Sequence, residues 1–124
     1  VSNMLMVTAN DYWHYHYRFD EVSPFLEKKV GRQMTNNIII NTVVPVLFAY
    51  GHLKQENQYI NKALRWLEET APEKNNITRQ WTRLGLSIDS AFDSQAYIEL
   101  YKNYCTDKRC LQCMIGNNVL KRRE

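Results

Sequence analysis

The fold of this chain is decided by residues 36–50, which read NNIIINTVVPVLFAY. The stretch is apolar nearly all round, and its length favours a helix, although its β-branched residues also suit a buried strand. A helix that is apolar on every side belongs at the centre of a bundle. Thr35 or Asn36 can cap its start, and Gly51 can end it. Pro45 lies inside the stretch and should kink the helix or divide it in two.

Two further helices are predicted downstream by apolar periodicity and by capping residues. The second covers residues 53–69, where apolar positions recur at helical spacing: Leu53, Ile60, Ala63, Leu64 and Leu67. Pro72 breaks the chain after it. Asn75 or Asn76 can cap the third helix, which Gly85 closes. The short links favour neighbouring helices that pack antiparallel.

A fourth helix leads into the C-terminal segment. Ser87 or Ser90 can open this helix, because a serine side chain caps free backbone N–H groups. Its predicted buried stripe recurs every four residues: Phe92, Ala96, Leu100 and Tyr104. A short last helix is expected over residues 111–120, around Gly116.

The first third of the chain is predicted to be an aromatic-rich arm. Residues 11–20, DYWHYHYRFD, alternate strictly, so a strand would carry its large aromatic side chains on one side: Trp13, Tyr15, Tyr17 and Phe19. In a helix, Trp13 and Tyr17 would instead share one face. Residues 21–35, with Pro24 and Gly31, are expected to form a connection.

Length and composition agree with one globular domain. The 124 residues are 44% hydrophobic, 23% charged and 12% aromatic, a composition that excludes intrinsic disorder. We therefore predict an all-α bundle of about five helices with an aromatic-rich N-terminal arm. In this single domain of residues 1–124, residues 1–35 are the arm and connection, and residues 36–124 are the helical core.

A cytoplasmic location without a membrane span is expected. Residues 38–51, the most apolar candidate for a span, are fewer than the roughly 20 residues that a bilayer requires. Three cysteines would leave one unpaired in a secreted protein, so a reducing compartment is favoured. The chain begins at Val1 rather than at Met, which is typical of a piece of a longer protein.

All three cysteines lie close together in the sequence, as Cys105-x4-Cys110-x2-Cys113. A closed zinc or iron–sulfur site normally has four ligands, and His16 is the best candidate for the fourth. Neighbouring Lys108 and Arg109 would favour thiolates (the form that binds metal). Two other interpretations stay open. The cysteines are packed thiols that need no cofactor, or they form a disulfide or redox pair.

A basic and aromatic pattern at the two ends of the chain suits nucleic acid. Aromatic residues alternate with cations around Arg18, and such a strip can stack on bases and pair with phosphates. The net charge is +3, and the sequence ends with three candidate phosphate contacts: Lys121, Arg122 and Arg123. The alternative interpretations are a core-facing aromatic strip and a solvated tail.

No enzyme active site is predicted within this chain. The sequence has no phosphate-binding glycine loop, no nucleophile elbow, no His-Glu-x-x-His helix and no dinucleotide fingerprint. Asp89 and Asp93 are four residues apart and can act as an acid–base pair, but carboxylates at a helix start also stabilise the helix dipole.

Four stretches of the sequence occur together in one known family. They are Tyr12-Trp13 with His16-Tyr17 and Phe19, residues 39–45 (IINTVVP) running on to residues 47–51 (LFAYG), residues 91–96 (AFDSQA), and Tyr104-Cys105 with Cys110-Leu111, Cys113 and Ile115-Gly116. On these stretches the chain resembles the C-terminal part of an uncharacterised bacterial family, domain of unknown function 2851. The resemblance implies longer family members, whose additional N-terminal region is similar to nuclease-type α/β domains. No activity comes with the family.

These observations favour a non-enzymatic helical accessory or interaction domain of a larger cytoplasmic bacterial protein. Its expected partner is the N-terminal region of the parent protein. One alternative is a nucleic-acid-binding module that supports a nuclease-like neighbour. The other is a cysteine-rich metal-binding domain with zinc or an iron–sulfur cluster, although no cofactor is the leading expectation.

Overall fold

A computed structural model of the chain describes residues 2–121 and confirms the all-α class. The elements are, in order, α1 (Ser2–Leu5), α2 (Asp11–His14), β1 (His16–Arg18), β2 (Glu21–Val22), α3 (Arg32–Ile38), a first π-helical turn (Ile39–Val43), α4 (Val44–Lys54), α5 (Asn57–Glu69), α6 (Asn76–Arg83), α7 (Ala91–Leu100), a second π-helical turn (Tyr101–Cys105) and α8 (Met114–Lys121). No helix in this described part of the chain is long and apolar enough to cross a bilayer.

The decisive apolar stretch lies in a run of helix from α3 through the first π-helical turn to α4. The backbone N–H of Val44 donates to the carbonyl of Ile39, five residues back, just before Pro45 enters the first turn of α4. A proline ring clashes with the carbonyl four residues back in a regular helix, and the wider π-helical turn relieves this clash. The side chain of Asn41 donates to the carbonyl of Asn37 at 3.1 Å. Pro45 was predicted to kink the helix or divide it in two, and the structure accommodates it by a π-helical turn within one continuous run of helix.

The expected ends of this first helix were wrong. The cap position of α3 is Gly31, four to five residues before the predicted caps, and α4 ends at Lys54 with Gln55 in the left-handed conformation at φ 56°. Gly51 lies inside α4 and is buried. A Cβ at this position would lie 2.9 Å from both Cγ1 and the backbone nitrogen of Ile60. Gly51 therefore allows α4 and α5 to approach closely and does not end the helix.

The core lies where the first π-helical turn and α4 meet α5. Ile39, Val44 and Ala63 are buried together, and four partly buried residues pack against them: Leu5, Leu47, Trp66 and Leu67. Helix α5 begins at Asn57, so the predicted start at Leu53 was wrong. Leu53 belongs to the end of α4, because the backbone turns only at Gln55.

Capping residues set the starts of α6 and α7 as predicted. The Asn75 side chain accepts from the backbone N–H of Thr78 at 2.9 Å, and Ser90 Oγ accepts from that of Asp93 at 3.2 Å. Both caps are reciprocal, because the third residue of each helix bonds back to the capping residue. Gly85 follows α6 with a φ of 86°, a conformation that glycine adopts without strain.

The buried face of α7 differs from the prediction. The expected stripe of Phe92, Ala96, Leu100 and Tyr104 was wrong, since the buried residues of α7 are Ala91, Ser94 and Ile98. Ser94 is fully buried because its hydroxyl accepts from the backbone N–H of Glu73 at 3.1 Å and donates to the carbonyl of Ala91 at 3.0 Å. A polar residue thus occupies the centre of the buried face, which a search for apolar periodicity overlooks.

The arm combines a helical turn with a short hairpin. Asn10 accepts from the backbone N–H of Trp13 at 3.4 Å and caps α2, so residues 11–14 are helical and only residues 16–18 form a strand. The prediction of one alternating strand over residues 11–20 was therefore wrong. Strand β1 pairs antiparallel with β2, and an isolated bridge joins Thr8 to Lys29.

Candidate interaction surface and cysteine pocket

The molecule exposes much more surface than a compact protein of its mass. Its accessible area is 9910 Å² for 14.8 kDa. The scaling for folded monomers gives about 7,000 Å² at this mass, an excess of roughly 2,900 Å². Standard protein interfaces cover about 800 Å² on each partner, so the excess is large enough to accommodate a partner.

The outer face of α4 is the most regular exposed apolar feature. Val46 is 65% exposed, Tyr50 44% and Leu53 79%. Residues spaced by four and then three positions form one stripe along a helix. The opposite face of α4 contains Val44 and Gly51, which are buried toward α5. The expectation that this helix occupies the centre of the bundle was therefore wrong, because only one of its two apolar faces is covered.

The arm adds a second exposed surface, rich in aromatic rings. The His16 ring stacks on Tyr12 with centroids 3.9 Å apart, and its Nδ1 lies 2.7 Å from the Tyr12 carbonyl oxygen. Lys28 Nζ lies 3.5 Å from the centre of the exposed Tyr17 ring. A cation over an aromatic face is favourable, and the pair orders this part of the arm.

The two histidines of the arm have different environments. His14 is buried, and its Nδ1 accepts from the backbone N–H of Lys28 at 3.1 Å, so one imidazole nitrogen already has a structural role. His16 instead lies against Tyr12, outside the pocket that the cysteines line. The structure does not bring His16 together with the three cysteines.

The three cysteines line one small cavity. Cys105, Cys110 and Cys113 line a pocket of about 160 Å³ together with apolar and aromatic residues of α6, α7 and α8. All three are free cysteines. Cys113 is buried, whereas Cys105 and Cys110 are exposed. Within residues 2–121, no three His, Cys, Asp or Glu side chains are arranged to hold a metal ion. A metal site formed by these cysteines and His16 stays a prediction.

Gly116 positions the last helix against the cysteine loop. A Cβ at Gly116 would lie 2.5 Å from the carbonyl oxygen of Cys110. Real side chains do not tolerate this distance, so only glycine allows the backbone of α8 to cross the loop there. A glycine inside a predicted helix is a sign of close backbone packing, but the sequence does not show which atom Gly116 approaches.

The pKa of the Cys105 thiol is raised by burial, with smaller contributions from Cys113 and Cys110. The thiolate is the reactive form of cysteine, so a raised pKa reduces the fraction that is nucleophilic at neutral pH. The raised pKa therefore argues against an activated nucleophile at Cys105.

Cys105 is expected to need a higher pH for alkylation in the folded chain than in the chain unfolded in urea. Its reaction with iodoacetamide, followed by mass spectrometry of the peptide across a pH series, measures this shift. The pH dependence separates pKa from access, because poor access lowers the rate equally at every pH. A midpoint at or below that of the unfolded chain would show that folding does not raise the pKa of Cys105.

The predicted nucleic-acid contacts lie near the two ends of the sequence, and only Arg18 has a described side chain. Arg18 lies on the hairpin and forms an exposed ion pair with Glu21 at 3.9 Å, an arrangement that contributes little stability. Lys121 ends α8, and Arg122 and Arg123 lie outside the described residues. The acid pair of α7 has a local role, because Asp93 accepts from the backbone N–H of Asp89 at 3.1 Å. Nucleic-acid binding stays a prediction.

Comparison with known proteins places most of these features inside one family match. The family model described as protein of unknown function (DUF2851) matches residues 1–76, which include the arm and helices α3 to α5. No curated protein and no solved structure gives a significant match to the chain. The outer face of α4 lies within the matched residues, whereas the cysteine pocket lies beyond them.

Proposed function

The chain belongs to the DUF2851 family, whose function is unknown, and we propose that it is a non-enzymatic accessory domain of a larger cytoplasmic protein. The proposal treats residues 1–124 as a single helical domain that docks onto the N-terminal region of its parent protein. The observation that supports it is the outer face of α4, where Val46, Tyr50 and Leu53 present an uncovered apolar stripe.

The energetics of this stripe favour a stable contact. Covering a leucine or valine side chain contributes about 1.5–3 kcal/mol relative to leaving it in water. An apolar stripe flanked by polar surface is typical of a helix that lies in a groove of a partner. The excess area of the molecule, roughly 2,900 Å², is larger than the about 800 Å² that a standard interface covers on each partner.

The charge of the same helix indicates the chemistry of the groove. Residues 32–54 contain no aspartate or glutamate, and the end of α4 has His52 and Lys54 beside Leu53. A second copy of this chain would place like charges against each other, which costs affinity. The surface that fits is therefore an apolar groove bordered by carboxylates, and we assign it to the N-terminal region of the parent protein.

A binding experiment on two separately purified parts tests this docking. The 124-residue chain is titrated by calorimetry with the N-terminal region of a longer DUF2851 protein. Leu53→Glu is expected to weaken binding at least tenfold, because it replaces an apolar contact with a charge that the carboxylates repel. Leu84→Glu is the matched control, since Leu84 is 74% exposed and lies in the link after α6.

Three results would contradict the proposal. Equal weakening by Leu53→Glu and Leu84→Glu would show that the face of α4 is not the contact. A dimer of the chain alone that dissociates on Leu53→Glu in sedimentation experiments would assign the face to a second copy. Robust catalytic turnover by the isolated chain would exclude a purely accessory role.

A further inference from the structure

A second feature of the molecule lies on α6, away from the stripe of α4. A cleft of about 410 Å³ opens between residues 72–74, helix α6 and the link that follows it. Three cations line it, Lys74, Arg79 and Arg83, together with Pro72, Thr78 and Ile88. This volume falls within the range of small-molecule sites, roughly 300–1,000 Å³.

The cations of the cleft have no acidic partner in the described part of the chain. Lys74, Arg79 and Arg83 form no ion pair within residues 2–121. Glu73 also lines the cleft, but both of its carboxylate oxygens already accept hydrogen bonds. One accepts from the Asn75 side chain at 3.0 Å and the other from that of Gln95 at 2.9 Å. These amide donors are neutral, so Glu73 keeps its negative charge, but three cations against one carboxylate still leave the lining of the cleft positively charged.

Helical spacing places the two arginines side by side. Arg79 and Arg83 are four residues apart on α6, so their guanidinium groups project from the same face. Like charges at this spacing destabilise a helix, and a bound anion removes the repulsion. Arg79 is already oriented, because its Nη2 donates to Asn76 and its Nε donates to the carbonyl of Asn75 at 3.4 Å.

The floor of the cleft is apolar in effect. The hydroxyl of the buried Thr78 donates to the carbonyl of Asn75 at 3.1 Å, and that of Thr82 donates to the carbonyl of Thr78 at 3.1 Å. Because both hydroxyls donate to backbone carbonyls, the apolar part of the lining consists of Pro72, Ile88 and the threonine methyl groups. The cleft thus combines an apolar floor with a cationic rim.

We infer that this cleft binds a small phosphorylated molecule of about mononucleotide size. Arginine is suited to phosphate because its planar fork of N–H groups matches two phosphate oxygens. The apolar floor accommodates the body of the ligand, and Lys74, Arg79 and Arg83 hold its phosphate. This function is independent of docking through α4, because the two sites lie on different helices.

Calorimetric titration of the 124-residue chain with adenosine monophosphate, inorganic phosphate and adenosine tests the site. Adenosine monophosphate is expected to bind more tightly than either fragment, with an affinity that falls as salt is added. Arg83→Gln and Lys74→Gln are each expected to weaken binding at least tenfold. Arg65→Gln is the matched control, since Arg65 forms an exposed ion pair with Glu69 on α5. Circular dichroism checks that each variant is folded.

The other outcomes would overturn the inference. Absence of binding at millimolar adenosine monophosphate, or binding that Arg83→Gln and Lys74→Gln leave unchanged, would exclude the cleft. Inorganic phosphate that binds as tightly as the nucleotide would show a simple anion site without a role for the apolar floor. An oligonucleotide that binds while the mononucleotide does not would assign the cations to nucleic acid.

Discussion

Gly51→Leu is expected to lower the free energy of unfolding by about 3 kcal/mol or more. Even a single Cβ at this position would lie 2.9 Å from the backbone nitrogen of Ile60. Backbone atoms cannot rotate away as a side chain can, so α4 and α5 must separate to admit the leucine. The gain in helix propensity over glycine, about 1 kcal/mol, offsets only part of this cost. Urea denaturation followed by circular dichroism measures the difference.

Gly31→Leu is the control for this substitution. Gly31 precedes α3, its φ of −73° is ordinary for any residue, and a Cβ there meets nothing within 4 Å. Gly31→Leu is expected to lower the free energy of unfolding by about 1 kcal/mol or less, the size of a capping effect. Comparable losses for Gly51→Leu and Gly31→Leu would mean that α4 and α5 do not pack as closely as the structure shows.

Ile39→Ala is expected to cost about 2–5 kcal/mol, the usual range for truncating a buried aliphatic side chain. Ile39 is 4% exposed and packs with Val44 and Ala63 at the centre of the core. Domains of this kind are stable by only about 5–15 kcal/mol in total. Since the buried core of this molecule is small, the substitution is expected to leave part of the population unfolded at 25 °C.

Val46→Ala on the outer face of the same run of helix is the matched control. Val46 is already exposed to water, so its truncation in the isolated chain is expected to change the free energy of unfolding by less than about 0.5 kcal/mol. The contrast between Ile39 and Val46, measured in one urea series, identifies the face that is core. Equal losses would contradict the assignment of the outer face as a free surface.

Local signals in the sequence predicted those features of the helices that depend on neighbouring residues alone. The caps at Asn75 and Ser90 and the turn at Gly85 are in the structure, and the effect of Pro45 takes the form of a π-helical turn just before it. Each depends on a side chain or ring that acts within about five residues of its own position. Such effects can be read without knowledge of the fold.

Features that depend on contacts between distant segments were not predicted. The face of α7 was assigned by apolar periodicity, but Ser94 is buried because it bonds to Glu73, which lies 21 residues away. Gly51 was interpreted as a helix end, but it is a contact point with Ile60. In both cases the meaning of the residue depends on which atom lies opposite it, and one sequence does not contain that information.

The candidate sites show the same difference between local features and contacts between distant segments. The sequence places Cys105, Cys110 and Cys113 within nine residues, and the structure lines one small pocket with all three, of which only Cys113 is buried. It does not bring His16 to that pocket, because the stacking of His16 on Tyr12 holds its ring within the arm. The cationic cleft was not predicted, since Lys74 joins Arg79 and Arg83 only through the turn before α6.

Residues 36–50, which are apolar nearly all round, show both what the sequence predicts and what it does not. By itself the sequence favoured a helix over this stretch and a disturbance at Pro45, because these follow from length, composition and local sterics. Only the tertiary structure decided which side of the helix is buried against another helix of the same chain. Helix α5 packs on the face that contains Gly51, since glycine permits the closest approach, and the face that contains Leu53 is exposed.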